Sequence, residues 1–115
     1  MKNIGKEINW NIKENKQFIE AVLALKNADE AKRFLRDLLT EYEIEEFANR
    51  LEAASLLARD VQYNTIIEDT GLSSTTIARI SKWLKGSLGG YRLILSRIDS
   101  HHYNSSKRRR GLSLS

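Results

Sequence analysis

Apolar residues recur three and four positions apart through most of this chain, and no segment alternates apolar with polar residues as a half-buried strand would. The first spacing places side chains on one face of a helix; the second would place them on one face of a sheet. None of the 115 residues is proline, so the strongest interruption of a helix is also missing. The chain is therefore expected to be all-α, with about six short helices.

Capping patterns divide the periodic stretch. After an aperiodic arm, residues 1–13, the residues Phe18, Ile19, Val22 and Leu25 predict a helix over 14–26. Asn27 followed by Glu30 is close to a capping box, in which two side chains satisfy backbone N–H groups of the first turn. Thr40 followed by Glu43 repeats it more cleanly. The third helix is expected over 41–59, with an apolar stripe of Ile44, Phe47, Ala48, Leu51, Ala54 and Ala58. A shorter helix is expected from about Tyr63 to Asp69, and another from a cap at Ser73 or Ser74 to Lys85. Gly86, Gly89 and Gly90 predict a turn before a last helix marked by Tyr91, Ile94, Leu95 and Ile98. The organisation expected is one helical domain over 14–98 and a basic, disordered tail over 99–115.

Charge is unevenly spread. Residues 1–69 carry ten Lys or Arg against fourteen Asp or Glu, while residues 70–98 carry five cations and no acid. An acid-free basic stretch suits a polyanion partner, which it would bind with release of counterions. A merely solvated face is the plainer alternative. No apolar run is long enough to span a bilayer, and the first residues lack the apolar core of a signal peptide. With no cysteine in the chain, a cytoplasmic protein without a membrane partner is expected.

The stretch DTGLSSTTIARISKWLKG, residues 69–86, gives this polyanion an identity. Residues 63–85 fit a helix-turn-helix, with the turn glycine at Gly71 and apolar residues at Ile66, Leu72, Ile77 and Ile80. Two positions fit less well. Ile67 stands where a small residue suits the close crossing, and Thr70 where an apolar one is common. In such a unit the second helix enters the major groove of double-stranded DNA. Its exposed start would then hold Ser73, Ser74, Thr75, Thr76 and Arg79. Hydroxyls can pair with base edges or phosphates, and Arg79 can chelate guanine. Asn64, Lys82 and Lys85 better suit the backbone, which positions without specifying. N-capping alone would need only one of the four hydroxyls.

Catalysis is not expected. Glu41, Glu43, Glu45 and Glu46 crowd a helix start, where the helix dipole already favours them. The only histidines, His101 and His102, are adjacent in the tail and have only Asp99 near them in sequence. That is too few ligands for a metal, and no base is placed for a serine nucleophile. The remaining alternatives are a DNA binder without sequence preference and a helical adaptor.

The stretch LLTEYEIEEFANRLEAASLLARDVQYNTIIEDTGLSSTTIARISKWLKGSLGGY resembles the Trp repressor superfamily and is most similar to its YerC/YecD branch. The likeness extends over about residues 15–98 and leaves out the basic tail. It implies an intertwined homodimer whose outer helices share a core. Two helix-turn-helix units would face a palindromic operator, with half-sites about one DNA turn apart. Six small helices that leave apolar surface bare point the same way. The chain has no room for a separate activating domain, so repression is expected over activation. The resemblance also aligns Thr40, Arg50 and Arg79 with residues that hold tryptophan in the repressor. Two departures oppose tryptophan or another small corepressor here. Ile80 replaces a glycine, and Trp83 replaces a small hydroxylated residue beside the ligand's amino group. Trp83 could itself fill the ligand space, whereas Arg50 could simply pair with Glu46 or Glu43 at helical spacing.

Overall fold

The computed structural model describes residues 7–99. Residues 1–6 of the expected arm and 100–115 of the expected tail, with His101 and His102, lie outside the described residues. Six helices and no strand occur among those described: α1 (Lys13–Ala24), α2 (Ala28–Leu38), α3 (Glu41–Ala58), α4 (Tyr63–Thr70), α5 (Ser74–Lys85) and α6 (residues 90–99). They form two compact units, one ending at Glu41 and one beginning at Tyr42.

The first unit carries α1 and α2. Residues 9–12 form a turn before α1, where the Asn15 amide donates to the Asn9 carbonyl at 2.9 Å. Asn27 caps α2 by accepting from the Glu30 amide at 2.9 Å. The Glu30 carboxylate answers at Lys26, whose amide it accepts at 3.0 Å, rather than at Asn27. This is the expected capping box displaced by one residue. Neither helix buries a single residue. Phe18, Ile19, Val22, Leu23, Leu35 and Leu38 all remain exposed.

The second unit holds the core. Ala53, Ala54 and Leu56 of α3 pack with Ile66 of α4, Leu72 of the turn, Ile77, Ile80 and Leu84 of α5 and Leu95 of α6. The expected α3 stripe is therefore only partly right. Ala54 is buried, but Ala48 and Ala58 are exposed, and Phe47 stays half in solvent. The core takes the neighbouring face, through Ala53 and Leu56, in the last two turns.

Asp60 explains how α3 ends. It adopts a left-handed φ of 62°. Its amide bonds the Leu57 carbonyl at 3.0 Å, and the Val61 amide bonds that of Leu56 at 3.0 Å. These two bonds close a Schellman motif, with Val61 packed against the core as the accompanying apolar contact.

Candidate nucleic-acid interface

Helices α4 and α5 are joined by three residues. Gly71 has φ 73° and ψ 4°, and its amide bonds the Ile67 carbonyl at 2.8 Å. A side chain here would meet nothing within 4 Å. Glycine is thus needed for the left-handed backbone and not for space. Ser73 then begins α5. Its Oγ accepts from the Thr76 amide at 3.1 Å and donates to the Thr76 hydroxyl at 3.0 Å. Of the two candidate caps, the structure uses Ser73.

The four apolar positions expected of the motif, Ile66, Leu72, Ile77 and Ile80, are all buried. The two poorer fits are accommodated differently. Thr70 is buried, but its hydroxyl donates to the Ile66 carbonyl at 2.7 Å and accepts from the Leu72 amide at 3.2 Å. A hydroxyl paired on both sides can occupy an apolar position without a desolvation loss. Ile67 lies half-buried and packs against the core.

With Ile77, Ile80 and Leu84 turned inward, α5 presents an opposite face of exposed side chains. Ser74, Thr75, Ala78, Arg79, Lys82 and Lys85 all belong to it. Asn64 is exposed in the first turn of α4. The hydroxyls of Ser73 and Thr76 are engaged with each other, and Thr76 is half-buried. That leaves Ser74 and Thr75 as the hydroxyls free of the capping arrangement. The ion pairs Arg33–Asp29, Arg36–Glu41 and Arg50–Glu46 precede residue 51. The cations of α5 thus face solvent without a carboxylate partner among the described residues. The arrangement can place hydroxyls and one guanidinium against base edges, and two ammonium groups against phosphates.

The residues aligned with a tryptophan site come from separate elements. Thr40 directly precedes α3, Arg50 lies within it, and Arg79 lies on α5. Arg50 Nε donates to the Glu46 carboxylate at 3.3 Å, and its guanidinium sits 5.7 Å from the Phe47 ring centroid. The side chain of Ile80 fills the core between α4 and α5 instead of intruding on an open pocket. Trp83 is half-exposed, at 51%. It borders a cavity of about 520 Å³ together with Lys82, Gly86, Ser87, Leu88, Gly90 and Tyr91. Desolvation by burial pushes the Tyr91 phenol above its ordinary pKa, and Arg50 partly opposes this. Sequence reasoning missed this cavity, because it is made by the turn after α5 and not by a motif.

No group of three or more potential metal ligands occurs among the described residues. No described helix is long and apolar enough to cross a membrane.

Comparison with known proteins gives consistent results. The family described as Trp repressor protein matches residues 13–99. The uncharacterised protein YerC of Bacillus subtilis strain 168 is 35% identical over 96 residues, which cover 84% of this chain and 92% of YerC. The crystal structure of a TrpR-like protein from Eubacterium eligens ATCC 27750 superposes with a TM-score of 0.73 at 33% identity. That match covers 78% of this chain and 93% of the other.

Proposed function

The chain belongs to the Trp repressor family, and from that premise we propose that it is a sequence-specific DNA-binding transcriptional regulator. It acts as a homodimer, and by repression. The observation that carries the proposal is the outward face of α5. Ser74, Thr75 and Arg79 stand on a helix fixed from behind by Ile77 and Ile80 and capped by Ser73. Lys82 and Lys85 continue the same helix without carboxylate partners among the described residues. Thr75 and Arg79 read bases, with Ser74 beside them; Asn64, Lys82 and Lys85 hold the phosphate backbone. Ser73 and Thr76 serve the helix start, through the cap and its paired hydroxyl, and offer phosphate contacts at most.

The homodimer is supported by the first unit. Neither α1 nor α2 buries a residue, and an apolar face this bare needs a covering. A second copy supplies it and sets two recognition helices about one DNA turn apart. A chromosomal operator places the protein in the cytoplasm. Tryptophan is not its corepressor. Arg50 is engaged by Glu46, and Trp83, half-exposed, adds bulk one helical turn from Arg79.

The test is selection of bound sequences from a random duplex pool at near-physiological salt. An enriched palindrome with half-sites about 10 base pairs apart is expected. Binding with no enriched motif would overturn base readout and leave a phosphate-gripping helix.

A further inference from the structure

The C-terminal end of α5 is held from outside the helix. Arg92, on α6, donates from Nη1 to the backbone carbonyl of Leu84. Carbonyls in the last turn of a helix lack an intrahelical donor, and a cation there also meets the negative end of the helix dipole. The Gly86 amide donates to the Trp83 carbonyl at 3.1 Å, and Arg92 donates to the next carbonyl along. The turn between the helices leaves space for this. Gly89 has φ +71°, and a Cβ added there would lie 2.9 Å from the Arg92 guanidinium. One observation locates the donor; the other shows that a side chain at position 89 would force the Arg92 guanidinium to shift.

Arg92 therefore differs from the cations of α5. Arg79, Lys82 and Lys85 extend into solvent, whereas the Arg92 guanidinium is turned inward on the protein's own backbone. Lys82 and Lys85 stand in the turn that Arg92 holds. We propose that Arg92 is a positioning residue for the recognition helix, locking the last turn of α5 so that Lys82 and Lys85 are ordered before DNA arrives. The inference rests on the DNA-binding proposal above. Without the lock, the last turn frays in the free protein and must reorder in the complex. Affinity then falls while the set of phosphate contacts stays the same.

The test uses the full chain carrying Trp10→Phe, so that tryptophan emission reports Trp83 alone. Arg92→Ala, Arg92→Lys, Gly89→Asn and the Gly89→Asn/Arg92→Ala double variant are compared below their melting onset, checked by circular dichroism. Asparagine tolerates the left-handed backbone, but its Cβ displaces the guanidinium. Affinity for the selected duplex is measured from about 50 to 200 mM salt. Arg92→Ala and Gly89→Asn should each weaken binding about tenfold, the loss of roughly one charge-assisted hydrogen bond. The double variant should be no weaker than Arg92→Ala, and Arg92→Lys should recover most of the affinity. The slope of log affinity against log salt should not change. Emission from Trp83 should shift in Arg92→Ala and Gly89→Asn without DNA. A slope smaller by about one in Arg92→Ala would mean a direct phosphate contact and would overturn the proposal, as would additive losses or unchanged affinity. If the parent protein binds no duplex, the DNA-binding proposal fails. Trp83 emission then decides by itself, since an unchanged spectrum means that Arg92 does not hold α5.

Discussion

Thr70 is tied back to Ile66: its hydroxyl donates to the Ile66 carbonyl one turn earlier at 2.7 Å. The same oxygen accepts from the buried Leu72 amide at 3.2 Å, so one side chain both closes α4 and starts the turn. Thr70→Val keeps the shape and removes the hydroxyl. The Leu72 amide then loses its acceptor inside the protein, which should cost about 1–3 kcal/mol. Urea denaturation would register this as a lower midpoint with an unchanged m-value. An unshifted midpoint would mean that an apolar residue serves equally well there.

Ser73 and Thr75 are separable by what they do. Ser73 caps α5 through Thr76, so Ser73→Ala should cost about 1 kcal/mol of stability. Thr75 is exposed and makes no cap, so Thr75→Ala should change stability by no more than about 0.5 kcal/mol. On DNA the order reverses. Thr75→Ala should relax the preference at one base pair in each half-site, whereas Ser73→Ala should weaken all sequences alike. Thermal melts and binding to single-base operator variants, run in parallel, would distinguish the two.

The helix-turn-helix was legible because its signals are local. Gly71 and Ser73 announce a turn and a cap, and the spacing of Ile66, Leu72, Ile77 and Ile80 supplies the core that joins the two helices. The α3 stripe was less legible. That helix carries apolar residues on two faces, and periodicity cannot say which face the rest of the unit occupies. Ala53 and Leu56 won within one chain, while Phe47 and Ala58 were left outward. The Arg92–Leu84 bond spans eight residues and depends on the backbone at Gly89, so no helical spacing rule announces it. Nor does a sequence show which aspartate will take a left-handed turn.

That aspartate offers a stabilising change. Asp60 holds φ 62° in the motif that ends α3, a conformation in which a side chain meets the backbone and glycine does not. Asp60→Gly keeps both backbone bonds of the motif and relieves the crowding. It should raise stability by roughly 0.5–1 kcal/mol, less than the full left-handed penalty because aspartate tolerates the region better than most residues. A lower denaturation midpoint would instead show that the Asp60 carboxylate contributes more than its backbone strain removes.

Tyr91 predicts a pH dependence. Burial raises its folded-state pKa above the ordinary tyrosine value, against a smaller opposing pull from Arg50. The folded protein therefore holds this proton more tightly than the unfolded chain does. The contribution to stability is complete below the unfolded tyrosine pKa and is lost as pH rises through the folded value. Stability should fall more steeply between about pH 9 and pH 11 in the parent than in Tyr91→Phe. Parallel denaturation curves across that range would check it, and identical declines would assign the alkaline loss to other groups.

Leu23 tests the dimer most simply, since it is 78% exposed on α1. In a folded monomer, Leu23→Asp replaces one solvated side chain with another; lower helix propensity and a carboxylate in the last turn of α1 should cost only about 1 kcal/mol. In a dimer that covers α1, it would bury an unpaired carboxylate, and association should weaken by several kcal/mol. The parent should sediment as a dimer with a Tm that rises with protein concentration, because subunit association and folding are then linked. Leu23→Asp should sediment as a monomer or unfold at a markedly lower temperature. A concentration-independent Tm in the parent, with Leu23→Asp also monomeric and lowered only by that local helix cost, would leave α1 facing solvent and would remove the dimer from the proposed function.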